Sequence, residues 1–496
     1  MRYCERSEAI SYPSIIKKAS LIACLFCIPL FAQAQNKLFP GDQQKKYELL
    51  LHLQWEPARL ISTSKEPASL YLQGLGNALE LLVNENPTRF DVYETAFEEQ
   101  LDQLQSIKKQ GADVLYFETD LCLYWSFVYL KFGHELEAAF QLRKAYQLAA
   151  QGRKKYPDYA PLLKSHGLLQ IIMGSVPEKY NWVLSMLNMT GNISLGLKEL
   201  QQASAITSPV AVEASLVLAL VQAYVLQEQD LALSQLETIL RKEKDHPLAS
   251  FIGASISLKN AQAEKAIQLL QPLVSNGIPS VHYFLGEAFL YKGEYEKSVA
   301  EFLLYTQTFK GENFIKDSHF KIGLCYLLLG QKDRATSYFK QAEEKGHENT
   351  EADKYAARTL ASGDAFNTKL FKIRFFTDGG YYEEARETIR TVAAPDLPSK
   401  KEQVEFYYRQ ARLAHKTNQL PGAKLFYEQC ISMSGTAPWY FAPNACLQMG
   451  YILQAEGKGE EAKLYFERAL SYRKHEYKNS IDAKAKSALA QGTKRK

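Results

Sequence analysis

A helical zinc site needs two histidines four residues apart with a carboxylate beside the first. His134-Glu135 starts such a sequence, but Ala138 stands where the second histidine belongs. Gly74-Leu75-Gly76 has the first two glycines of a dinucleotide-binding turn, yet no third follows and no strand precedes it. Neither a G-x-S-x-G nucleophile elbow nor a phosphate-binding P-loop occurs. The acidic pairs Glu98-Glu99, Glu343-Glu344 and Glu460-Glu461 fall where a helix turns its polar face to water. The histidines, among them His246, His282, His319, His347, His415 and His475, are scattered singly. Cys122, Cys325, Cys430 and Cys446 lie far apart with no CxxC spacing, which reads as small helix residues rather than a disulfide framework or a zinc knot. No catalytic residue, metal or cofactor is expected.

The elements that would position any site must therefore be read for another purpose. A chain of 496 residues exceeds one compact core, so several domains or a repeat array is expected. A formal charge of +4 from nearly balanced acids and bases makes nucleic acid a poor default partner. The bases that do gather, Arg473, Lys474, Lys478, Lys484, Lys486, Lys494, Arg495 and Lys496, read as a solvated helix end and tail over 476–496.

Residues 1–34 read as a signal peptide: Lys17-Lys18, then an apolar run from Ala19 to Phe31, then small residues at Ala32 and Ala34. That run is too short for a bilayer core, which needs about 20 residues. Export to the periplasm or beyond is expected, with no membrane span left in the mature chain. Lipidation at Cys24, after Leu21-Ile22-Ala23, is the lesser reading.

One spacing recurs through the rest. Gly323 is followed by Ala335, Phe339 and Ala342; Gly450 by Ala462, Phe466 and Ala469; Ala411 by Ala423, Tyr427 and Cys430; Gly286 by Ser298, Phe302 and Tyr305. Looser copies start at Ser126, Leu220 and Ala254, and a degenerate one centres on Ala385. The two small residues mark where paired helices cross closely, and the large one is expected to fill the gap between neighbouring pairs. Gly293, Gly330, Gly457 and Gly379-Gly380 supply the turns. Alternating β-branched runs are nearly absent, so the fold class is all-α.

This spacing resembles the tetratricopeptide repeat, whose pattern Ile322-Gly323 with Tyr326, Ala335, Phe339 and Ala342 follows, as does Met449-Gly450 with Leu453, Ala462, Phe466 and Ala469. The consensus Trp is missing. The resemblance implies a right-handed superhelical solenoid of antiparallel helix pairs that binds protein or peptide partners on its concave face. A second resemblance, over Gly167 to Ala203 and from Trp439 to the C-terminal end, is to the inclusion-body-clearance family of such repeat proteins. The expected organisation is an N-terminal helical capping region over 35–110, degenerate repeats over 111–275 with an apolar insertion near 175–192, and well-formed repeats over 276–475.

In such a stack the first helix of each pair lines the groove, which nominates Tyr283, Glu287, Tyr291, Phe320, Leu324, Tyr408, Arg412, His415 and Tyr451 as partner contacts. Tyrosine and arginine offer broad rigid contact with a polar handle. The leading expectation is an exported, non-catalytic scaffold. A structural part of a cell-envelope assembly is the alternative, and an envelope hydrolase on a helical scaffold the weaker one.

Overall fold

The computed structural model describes residues 38–61, 64–108, 111–176 and 188–493, and its regular elements there are all helical. The expected signal segment and the core of the apolar insertion, 177–187, lie outside the described residues. The helices are α1 Gln43–Leu51, α2 Trp55–Leu60, α3 Pro67–Asn84, α4 Pro87–Gln105, α5 Ala112–Lys131, α6 Glu135–Lys155, α7 Ala160–Ser175 and α8 Ile193–Ala205. There follow α9 Ala211–Tyr224, α10 Gln229–Lys242, α11 Pro247–Lys259, α12 Ala263–Leu270, α13 Pro279–Lys292, α14 Tyr295–Thr308, α15 Ile315–Leu328 and α16 Lys332–Glu344. The last are α17 Glu351–Ala361, α18 Thr368–Gly379, α19 Tyr382–Arg390, α20 Lys400–Lys416, α21 Leu420–Ser434, α22 Phe441–Ala455, α23 Gly459–Ser471 and α24 Lys478–Thr493. None of them is long and apolar enough to cross a membrane.

From α3 to α16, and again from α18 to α23, consecutive helices pack in pairs, and in most of the array the first helix of one pair also rests on the first helix of the next, as α5 does on α3 and α20 on α18. This is the expected α-solenoid. Every small–small spacing read from the sequence falls on such a pair. Where the first small residue is glycine, the reason is explicit: a Cβ on Gly286 would lie 2.8 Å from the Phe302 ring, and one on Gly450 2.4 Å from Phe466. The large residue thus packs inside its own pair, against bare backbone, as well as toward the next element, where Phe339 meets Phe366 with ring centroids 4.7 Å apart. The α7–α8 pair, which the spacing missed, crosses on two glycines, with a Cβ on Gly196 only 2.4 Å from the Gly167 carbonyl oxygen.

Turn chemistry also follows the sequence. Gly293 and Gly330 take φ of 85° and 79°, the left-handed conformation that ends α13 and follows α15. Side-chain caps sharpen other starts: Ser399 and Glu402 form a capping box on α20, and Thr350 caps α17 through the Asp353 amide.

The array does not run on evenly. α17 sits against α15 and α16 without a partner of its own, and α18 returns to α13 and touches α11. Tyr291 and Phe375 stack at 6.1 Å, and the Tyr381 hydroxyl reaches Glu264 at 3.0 Å.

The N-terminal segment, expected as a cap, does more. Helices α3 and α4 stack on α5, but the stretch from Leu38 to Trp55 crosses several repeats. Phe39 stacks on Tyr71 of α3 and Phe117 of α5, Tyr47 donates to Glu213 of α9, and His52 stacks on His246 before α11 at 4.6 Å. A segment that touches the first helices of successive pairs lies on the concave side. The first half of the groove is filled by the chain's own N-terminus.

Candidate functional site

Among the polar networks on the first helices, two link successive pairs through a lysine. In the first half, Lys164 of α7 forms ion pairs with Asp120 of α5, at 3.0 Å, and with Glu213 of α9. Tyr71 and Ser165 donate to Asp120 at 2.7 and 2.6 Å, and Tyr124 to Glu213 at 2.5 Å. Lys164, Asp120 and Glu213 are each at most 2% exposed. Burial pulls the Lys164 ammonium down, and the two carboxylates more than offset it, so its pKa is raised. Enclosed by Tyr47, this cluster anchors α1 and offers no route to a ligand.

The second network begins with two nominated residues. Tyr283 donates to Asp317 at 2.8 Å, and Lys321, which sequence reasoning missed, bridges Asp317 at 2.7 Å, Glu287 at 2.5 Å and the Tyr283 hydroxyl at 3.0 Å. Its signal was present as Asp317 and Lys321 one helical turn apart. Tyr283 is 3% exposed, Phe320 1%, Leu324 2% and Tyr408 3%, so these four are packed in the core. As direct contacts they are corrected: a residue gripped between successive first helices has no face left for a partner. Tyr291, Glu287, Arg412, His415 and Tyr451 keep partial exposure.

Further along the same wall, arginines and tyrosines alternate. Arg374 of α18 donates to the Tyr355 hydroxyl at 2.8 Å, and Arg409 of α20 to Tyr440 at 3.1 Å and to Glu405 at 3.0 and 2.6 Å. Asp378 lies 3.7 Å from Arg374 and 4.0 Å from Arg412, one carboxylate between two guanidiniums. Beside Arg409, Tyr355 and Tyr440 a cavity of about 290 Å³ opens, edged by Arg358, Lys401, Glu402 and Glu476.

Beyond Arg412 three lysines come near one another, with Asp378 and Asp230 acting on Lys416 from nearby. Lys259, exposed at the end of α11, lies within electrostatic reach of Lys416 at the end of α20 and of Lys484 on α24, both half-buried, and none of the three makes an ion pair among the described residues. Burial and then Lys484 and Lys416 pull the Lys259 ammonium down to about 8. Burial and Arg412 likewise lower Lys416 and Lys484. His415 is held neutral, pushed down to about 4 by burial and then by Arg412 and Lys416. Lys259 also lies over the Tyr224 ring at 5.2 Å. Lys484, read from sequence as part of a solvated tail, is instead turned inward, because Ile481, Ala485 and Ala488 seat α24 on α22 and α23.

Among the described residues Cys122, Cys325, Cys430 and Cys446 are buried free thiols. The tetratricopeptide-repeat family model matches residues 317–344, 404–436 and 443–476, so the chain carries these repeats. No curated protein matches it. Among solved structures it is similar to the human IFIT1 dimer with PPP-AAAA, at 14% identity and TM-score 0.33 over 86% of this chain and 94% of that one. It is also similar to yeast Tom70, at 12% identity and TM-score 0.24 over 92% of this chain and 87% of that one. Likenesses of that order carry no functional information.

Proposed function

We propose that this tetratricopeptide-repeat solenoid is an exported, non-catalytic scaffold that holds acidic polypeptide segments in the open half of its groove. The observation that carries the reading is the set of cations without an ion pair among the described residues, Lys259, Lys416 and Lys484, beside Arg412 in a chain whose acids and bases nearly balance. Like charges held together and partly screened from water cost free energy that an anionic partner recovers. The basic residues form a local cluster flanked by Asp378 and Glu405 rather than a broad stripe, which favours a carboxylate-bearing peptide over a nucleic-acid backbone.

The test is fluorescence anisotropy of labelled acidic, neutral and basic peptides and of a single-stranded oligonucleotide against the full chain. The acidic peptide binds most tightly, its affinity falls with salt, and changing Lys259, Lys416 and Lys484 to Gln weakens it at least tenfold. Tighter binding of the oligonucleotide, or indifference to peptide charge, overturns the reading. Fractionation of the producing cells tests export.

A second reading, a structural part of an envelope assembly, draws on Leu136 and Phe140. These lie one turn apart on α6 and are 72% and 69% exposed.

A further inference from the structure

Far from the open groove, α1, α2, α3 and α4 enclose a cleft of about 350 Å³ that opens to solvent past Gln73 and Val92. Its walls are mostly apolar, with Leu50, Trp55, Ala58 and Leu72 among them. One of its lining residues is Lys46, which is 4% exposed and whose ammonium makes neither a hydrogen bond nor an ion pair to any described residue. The neighbouring cation is already engaged: Arg59 pairs with Glu80 and donates to the Tyr93 hydroxyl at 2.6 Å, and Tyr93 in turn donates to Glu80 at 2.9 Å. Asn77, 8% exposed, also lines the cleft and makes no side-chain hydrogen bond to the described residues.

An ammonium held against an apolar cleft, partly drawn from water and with no counter-charge among the described residues, gains from an anion that binds to it. Here the counter-charge must be small, because Lys46 is the one cation of the cleft without a partner among the described residues. It must also carry an apolar body, because most of the surface it would cover is hydrocarbon. We propose that this cleft binds an apolar monocarboxylate, with its carboxylate on Lys46 and Asn77 and its hydrocarbon against Trp55 and Leu72. A free organic acid and the C-terminal carboxylate of a peptide ending in an apolar residue share that chemistry. Burial lowers the Lys46 pKa, which an incoming carboxylate reverses. The site is independent of the groove and of the function proposed for it.

Calorimetric titration of the full chain tests it with phenylacetate and its neutral isostere phenylacetamide, and with a short peptide ending in Phe as free acid or as amide. Saturable one-to-one binding is expected for phenylacetate or the free-acid peptide, and whichever binds tighter identifies the source. The matching amide binds at least about tenfold more weakly. Lys46→Met abolishes the preference for the acid without lowering the melting temperature, since it removes a charge that has no partner. Ala96→Phe, which fills the cleft from α4 and leaves Lys46 in place, abolishes binding by a separate route. Equal binding of acid and amide overturns the proposal. So does full binding by either variant, or no saturable binding of either acid at millimolar concentration.

Discussion

Gly323 and Phe339 meet across the α15–α16 pair, where a Cβ on the glycine would lie 2.5 Å from the ring's Cε1 atom. No carbon of a neighbouring side chain can stay that close, so the ring or the helices must shift. Gly323→Ala is expected to cost about 1–3 kcal/mol, read as a lower urea midpoint. Combined with Phe339→Leu, the loss is smaller than the sum of the two single changes, because the smaller side chain vacates the space. Strict additivity would show that the two residues do not press on one another.

The buried trio of Lys164, Asp120 and Glu213 makes a second prediction. Lys164→Met leaves two carboxylates enclosed without their cation, a change that costs about 3–5 kcal/mol when a buried pair is broken. The α1 segment should loosen first, since Tyr47 is tied to Glu213. Hydrogen exchange should show residues 43–51 losing protection ahead of the repeats. Uniform loss along the chain would separate the trio from α1.

How much of this was legible beforehand follows from what each pattern encodes. The helix pairs were readable because Gly323, Ala335 and their counterparts record a local steric demand at fixed spacing. The break at Asn84 to Pro87 was equally local, and α3 ends there with Glu85 at φ 48°. The α7–α8 pair escaped the spacing because Gly167 and Gly196 meet without an aromatic between them. The filling of the first-half groove was not readable, since Tyr47 and Glu213 are 166 residues apart. Tyr283 and Tyr408 were placed on the correct helices but given the wrong task. Helical periodicity tells which residues leave the solvent, and it does not tell whether a neighbouring first helix or a partner covers them. Lys259, Lys416 and Lys484 meet only through the curvature of the whole array.

Acid sensitivity follows from two buried histidines. His246 is 1% exposed and His319 6%, and burial, then His52 for the one and Lys345 and Lys316 for the other, pushes both from an ordinary value near 6.5 down to about 4. The folded state binds fewer protons than the unfolded chain between those values. Stability is therefore complete above pH 6.5 and falls as pH drops toward 4, by about 2 kcal/mol per histidine at pH 5. His319→Gln should flatten the melting-temperature profile over that window. An unchanged slope would assign the acid sensitivity elsewhere.

The last prediction concerns Lys259. With its pKa pulled to about 8 by burial, Lys484 and Lys416, half of its side chain is the free amine at pH 8, whereas an ordinary lysine is free to only roughly 0.3%. Lys259 is also exposed to reagent, unlike the enclosed Lys164. Limited acetylation with an activated ester at pH 8, followed by peptide mass spectrometry, should therefore label Lys259 before Lys340, which is 73% exposed and paired only with Glu344 at 3.7 Å. Lys484→Gln removes one of the two repelling charges, so the Lys259 pKa rises and labelling slows even though access improves. That opposition separates an electrostatic cause from a steric one, because freer access alone would make labelling faster. An acidic peptide seated in the groove should slow it too, by restoring the charged form and covering the amine. Labelling of Lys259 no faster than Lys340, or faster in the Lys484→Gln protein, would mean that the three lysines do not share one field.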